Sequence, residues 1–233
     1  MKKSVLLLSA LAIAAGSYAQ DIRLGIFSEM GATLPTGFPH VQVTDMDGNT
    51  LGHTKVTPGA FYTYGVQGRF LLNRWNIGLA LGRGGYSYLD KMPDVPTSQV
   101  FFHSTSHRFH TTNIQPTIGY TIYKKQRLSL TPTIGATASF ADGKWILVTN
   151  GNRTEISIPS YSTFNRFQVS ALAGLEANWR VYNNLSISVM PLFKAGLTKQ
   201  YEGSSKAFVH NLGVQVGLNY NIGLRKKSTA HTQ

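Results

Sequence analysis

The chain has 233 residues, no cysteine, 42% hydrophobic and 14% charged residues, with 23 Gly, 12 Phe and 11 Tyr. The absence of thiols excludes a disulfide framework and a thiolate metal site, and no apolar run reaches the length of about 20 residues that a helical membrane span needs. Its 22 basic against 10 acidic residues give a net charge of +12, a balance that attracts anionic surfaces.

The first residues read as an address. Lys2 and Lys3 precede a short apolar run over 5–15, and Ser17-Tyr18-Ala19 places small residues where a signal peptidase cuts. This order predicts a secretory signal over 1–19, with cleavage between Ala19 and Gln20. Removing Lys2 and Lys3 leaves 20 basic against 10 acidic residues, or +10 for the mature chain. Export excludes nucleic acid as a partner and favours an anionic lipid surface, such as outer-membrane lipid and lipopolysaccharide.

From there the chain alternates. Between Phe167 and Val181 the odd positions are apolar and the even ones mostly polar, and Leu212 to Leu224 alternates with Gly, Gln and Asn. Successive strand side chains face opposite sides. Long alternating segments with few charges on the polar face are the pattern of strands that are apolar towards lipid and polar towards a lumen. The rhythm predicts eight crossings, at about 21–31, 60–72, 75–88, 108–122, 128–141, 164–181, 185–198 and 207–224. The fold class expected is therefore an all-β, eight-stranded antiparallel transmembrane up-and-down β-barrel over 20–224, followed by a basic polar tail over 225–233.

Short turns alternate with long hydrophilic connections, the turns facing the periplasm. Asn73-Arg74 and Tyr182-Asn183-Asn184 have the even and odd lengths that the apolar parity of their flanking strands requires. The middle turn, near 123–127, should have three or five residues. Trp75, Tyr120, Trp179, Tyr182 and Tyr220 fall at the turn end as an interfacial aromatic girdle. Phe61, Tyr62, Tyr64, Tyr86, Tyr88, Phe109, Phe140 and Phe164 form the corresponding outer belt. Pro116, Pro132 and Pro191 interrupt strands, and local bulges are expected there.

A signal ending Ser-Tyr-Ala before Gln20, the repeated Pro-Thr-Ile-Gly of Pro116 to Gly119 and Pro132 to Gly135, and a final strand of Leu, Val, Leu, Tyr and Ile carry a resemblance. The mature chain resembles the Bacteroidota outer-membrane β-barrel-domain proteins, a porin-like family of small barrels. The resemblance implies an outer-membrane protein. The tail from Arg225 departs from it, since such chains usually end at the last strand.

Three constellations could carry function. Arg23, Glu29, Arg69, Glu176, Arg180 and Lys194 point into the lumen, Arg23, Arg69, Glu176 and Arg180 near the periplasmic end and Glu29 and Lys194 higher. Gly78, Ala80, Gly82 and Gly84 leave room opposite Arg69. An eight-stranded barrel is just wide enough for side chains to fill, so a structural polar plug is expected, with a narrow pore for small solutes as the alternative. The outer segments 41–56 and 145–158 centre on Asp47-Gly48 and Asn150-Gly151, strong hairpin signals, whose projecting edges could take a strand from a protein partner. Among the histidines, His103 and His107 share one face and His110 the other, so neither a metal site nor a cofactor is expected. A lipid-modifying hydrolase using Ser104 or Ser106, His107 and Asp94 or Glu176 is a further alternative without support from spacing. Gly82-Arg83-Gly84-Gly85 lies inside a strand and opens no helix, so it is not a nucleotide loop. The reading is a non-enzymatic outer-membrane barrel with a structural or surface-interaction role.

Overall fold

Alternation becomes a closed wall. A computed structural model describes residues 21–38, 42–44, 49–91, 104–149, 152–157, 164–201 and 207–223. The signal, the tail, His103 and the centres of both outer hairpins lie outside the described residues. Thirteen strands occur among them: β1 (Asp21–Thr36), β2 (Gln42–Thr44), β3 (Thr50–His53), β4 (Lys55–Thr57), β5 (Gly59–Leu72), β6 (Trp75–Lys91), β7 (Ser104–Tyr120), β8 (Tyr123–Lys125), β9 (Leu128–Thr149), β10 (Asn152–Ser157), β11 (Phe167–Arg180), β12 (Leu185–Gly196) and β13 (Phe208–Gly223). Eight of these form the wall, in the cyclic order β1-β5-β6-β7-β9-β11-β12-β13, every neighbour antiparallel. The chain is an all-β, eight-stranded antiparallel barrel.

The register fixes the dimensions. Paired residues lead from Asp21 through Leu71, Asn76, Gly119, Thr133, Gly174, Leu192 and Gly213 back to β1 at Gly31, ten residues from the start. With ordinary strand rise and spacing, eight strands and that offset give a tilt of about 40° and a backbone radius of about 8 Å. Leu24, Ile26, Met30, Val66, Ile77, Leu79, Ile134, Leu175, Val189, Val216 and Leu218 are exposed on the outside, while Arg23, Glu29, Gln67, Arg69, Thr133, Glu176, Ser188, Lys194 and Gln215 are buried inside. An apolar exterior around a polar interior inverts a soluble protein and matches a barrel in lipid.

The turns follow the parity, with one correction. Leu72 pairs with Trp75 across Asn73-Arg74, and Asn73 adopts a φ of 55°. The Val181 N–H donates to the Leu185 carbonyl at 2.9 Å, leaving Tyr182-Asn183-Asn184 as the third turn. The middle connection has seven residues, 121–127, rather than three or five. Its arm β8 folds back on β9 through Gln126-Arg127, with Gln126 at a φ of 43°. The odd length is kept, so the strand faces are preserved.

The expected bulges at Pro116, Pro132 and Pro191 are absent. The β7–β9 ladder lapses at Gln115 and Pro116, and the β11–β12 ladder lapses opposite Met190 and Pro191, yet each resumes in the same register. Pro132 sits where the β7–β9 ladder ends beyond Thr133. A proline needs only one silent donor, and each strand still pairs on its other side. A one-residue shift occurs instead at Pro58: Thr57 pairs with Leu89, whereas Phe61 pairs with Tyr86. β4 thus continues β5 beyond a proline step.

Several strands run further than expected at the loop end, the end opposite the tight turns. β6 reaches Lys91, β7 begins at Ser104, and β9 continues to Thr149 to pair with β10. β2 and β3 pair as the other outer hairpin. Among its described residues, the 32–59 segment adds no further strand to the wall.

Ile134 is 63% exposed on the outer wall. In lipid vesicles Ile134→Arg should lower the unfolding free energy by about 2–4 kcal/mol, read from denaturant titration. An unchanged midpoint there would contradict a lipid-facing wall.

Candidate functional site

The lumen is filled in three tiers. In the lowest tier, Glu176 on β11 reaches across to two arginines. Arg23 Nη1 donates to its Oε1 at 3.3 Å, and Arg69 Nη1 donates to its Oε2. Arg23 Nε also donates to Asn221 Oδ1 at 3.0 Å. Arg69 lies opposite Gly78 in the β5–β6 ladder. A Cβ at Gly78 would stand 3.3 Å from Arg69 Cγ and 2.6 Å from Thr117 Oγ1, so this glycine makes the room the guanidinium occupies.

Higher up, Lys194 Nζ donates to Glu29 Oε2 at 2.5 Å, and Gln115 Nε2 donates to Glu29 Oε1 at 3.3 Å. Amides extend the Glu176 group. Gln67 Oε1 accepts from Arg69 and Gln215, while Gln67 Nε2 donates to Asn219 Oδ1 at 2.7 Å. Buried ions require paired and hydrogen-bonded partners, and alternating polar side chains on β1, β5, β7, β11, β12 and β13 supply them. Arg23, Glu29, Arg69, Glu176 and Lys194 are buried here. Arg180, expected among them, is exposed and lines the mouth at the turn end.

The upper tier is aromatic, which corrects the expected outer belt. Phe61, Tyr86, Tyr88, Phe109 and Phe164 are buried inside with Met190, Leu192 and Val209, whereas Tyr62, Tyr64 and Phe140 face outward. Tyr86 stacks on Phe109 at 4.8 Å, and Phe109 stacks on Phe164 at 4.9 Å. Phe38 packs edge-on against Tyr88 at 5.0 Å, and the Tyr88 and Tyr201 hydroxyls lie 3.1 Å apart. Gln200, buried after β12, accepts from Tyr86 Oη at 3.1 Å. Phe61, Tyr86, Tyr88 and Phe109 hold the inward parity of their strands, a signal that could have assigned them. Phe38, Gln200 and Tyr201 come from connections, where no periodicity points.

Between the tiers lie voids of about 10 and 40 Å³, room for only a few waters. Below them a cavity of about 630 Å³ opens at the turn end. Around that end Trp75 and Tyr120 meet edge-on at 5.0 Å, and Trp179, Tyr182 and Tyr220 are exposed. At the loop end His107 Nε2 lies 3.2 Å from Asp90 Oδ2 and stacks on Tyr88. His110 faces outward, and among the described residues no three metal-ligating side chains converge.

Lys194→Met should cost about 3–5 kcal/mol, because Glu29 would keep its charge without a counter-ion. The double variant Lys194→Met/Glu29→Gln should recover most of that loss. Equal destabilisation of single and double variants in a denaturant titration would contradict the pairing.

No family model and no curated protein matches the chain. Among solved structures it is similar to Ail, the attachment invasion locus protein of Yersinia pestis, in complex with the heparin analogue sucrose octasulfate. That match has 12% identity over 87% of this chain and 98% of the other, with a TM-score of 0.43. It is similar to the outer membrane protein OprG from Pseudomonas aeruginosa at 12% identity, 88% and 97% coverage and a TM-score of 0.45. A third likeness is to the outer membrane protease OmpT from Escherichia coli, at 12% identity, 88% and 97% coverage and a TM-score of 0.40. These likenesses concern the fold. Closure of the wall, with apolar residues outside and polar residues inside, makes the chain an outer-membrane-type β-barrel protein.

Proposed function

We propose that the chain is a plugged, non-enzymatic outer-membrane barrel with a structural or surface-interaction role, its turn end in the periplasm and its loop end outside. The observation that carries this reading is the filled lumen: an ionic tier capped by the buried stack of Tyr86, Phe109 and Phe164. The Arg23, Arg69 and Glu176 cluster and the Glu29–Lys194 pair act as structural crosslinks between distant strands. Trp75, Tyr120, Trp179, Tyr182 and Tyr220 anchor the periplasmic interface, as amphipathic rings do at headgroup depth. A cleaved signal over 1–19 delivers the barrel, and the Bacteroidota resemblance of the sequence fits that route. Outer-membrane lipid and lipopolysaccharide are its immediate partners, the latter favoured by the mature charge of +10. The hairpins within 41–56 and 145–158 offer strand edges to a protein partner.

Purified chain in planar bilayers should give no steady single-channel steps. Discrete, persistent steps would sink the plugged reading in favour of a narrow pore. Cell fractionation should recover the chain only with detergent, with Gln20 at its N-terminus. A water-soluble product would overturn the membrane assignment.

A further inference from the structure

We infer that the cavity at the turn end is a binding site for a carboxylate-bearing glycopeptide. In that class of ligand, oxyanions are carried on units rich in amides and hydroxyls. Where this ligand is met rests on the orientation proposed above, but its chemistry rests on the lining.

The cavity of about 630 Å³ is lined by Arg23, Arg74, Lys124, Arg127 and Arg180, against the single carboxylate of Asp21. The cations come from separate elements: Arg23 from β1, Lys124 from β8, Arg180 from β11, and Arg74 and Arg127 from turns. Closing the barrel collects them at one mouth. Among the described residues, none of Arg74, Lys124, Arg127 and Arg180 takes part in an ion pair.

The second observation lies in the cavity wall. Arg23 and Arg69 are both buried, and they share one carboxylate, that of Glu176. Arg23 spends its remaining contact on the neutral amide oxygen of Asn221. The buried trio therefore keeps one positive charge in excess, and a buried charge without a counter-ion is strongly penalised. An oxyanion entering the mouth supplies that countercharge, and guanidinium groups match a carboxylate bidentately.

The rest of the lining selects what carries the anion. Six of the chain's thirteen asparagines line this cavity. Asn76 and Asn221 spend their N–H groups within the wall, and Asn178 and Asn184 each spend one. The remaining side-chain carbonyls and N–H groups can pair with the amides and hydroxyls of a glycopeptide. A bare inorganic anion has no donors to offer, so it would leave the amide carbonyls unused.

The test is isothermal titration of the full chain folded in an uncharged detergent, with N-acetylmuramyl dipeptide as probe and pyrophosphate as comparison. The dipeptide should bind saturably, more tightly than pyrophosphate, and less tightly as salt rises. Arg127→Gln/Arg180→Gln should weaken it about tenfold per arginine, the equivalent of one charge-assisted hydrogen bond. Lys55→Gln at the loop end should leave it unchanged. Absence of saturable binding, equal affinity in the double variant, or tighter binding of pyrophosphate would each overturn the assignment. If the double variant does not fold, arginine labelling of the unaltered chain by phenylglyoxal decides. The dipeptide must slow modification of Arg127 and Arg180 but not of Arg83 on the outer wall, and undiminished labelling overturns the site. A conducting barrel that still bound the dipeptide would defeat the plugged reading and leave this one standing.

Discussion

A backbone amide in hydrocarbon has no water to fall back on, so every wall strand must have a hydrogen-bonded neighbour on both sides. That demand closes the sheet, and closure dictates most of the remaining architecture. Eight strands joined with an offset of ten residues have one radius, about 8 Å at the backbone. Such a cylinder can neither stay empty nor hold a wide channel. The side chains that point inward must fill it, and those that point outward must suit lipid. The prolines obey the same demand. Pro116, Pro132 and Pro191 each keep a full partner on one side and leave a gap or a ladder end on the other. The register is therefore unbroken at these three prolines.

Filling a cylinder with polar side chains raises a second problem, the cost of buried charge. The chain answers it by crossing the lumen rather than by pairing along a strand. Glu176 of β11 meets Arg23 of β1 and Arg69 of β5, and Glu29 of β1 meets Lys194 of β12. Each contact ties different wall strands together across the interior, so the electrostatics brace the cross-section that hydrogen bonds along the wall cannot. The stack above them works by a different force. Aromatic rings bury large areas and pack edge-on or offset, so the loop end is sealed by apolar surface drawn partly from the connections.

Much of this is legible in the sequence because the information is periodic. A period of two assigns each side chain a face, and the parity of the turns carries that assignment from strand to strand. The inward placement of Arg23, Glu29, Arg69, Glu176 and Lys194 and the room that Gly78 makes for Arg69 both stem from it. Height along the barrel is a poorer guide than parity. It places Phe61, Tyr86, Tyr88 and Phe109 with the outer belt, although their parity is that of the lumen. The fate of Arg180 is also beyond periodicity, since parity says which face but not whether a side chain at a strand end stays covered. The bulges expected at Pro116, Pro132 and Pro191 rest on proline's preference for sheet edges or bulges, in a barrel that has no edges. A strand with two neighbours can drop one donor locally and keep its register.

The length of β9 shapes how the chain meets the world outside. This strand has 22 residues, and at a tilt of about 40° it rises about 55 Å, roughly twice the height of the apolar band of such a barrel, about 25 Å. On one side its neighbour β7, and β6 beyond it, climb with it, while β11 and β12 on the other stop lower. The rim is therefore a ramp rather than a level ring. Among the described residues, the loop end presents the flank of a tall sheet above the apolar band rather than a level opening.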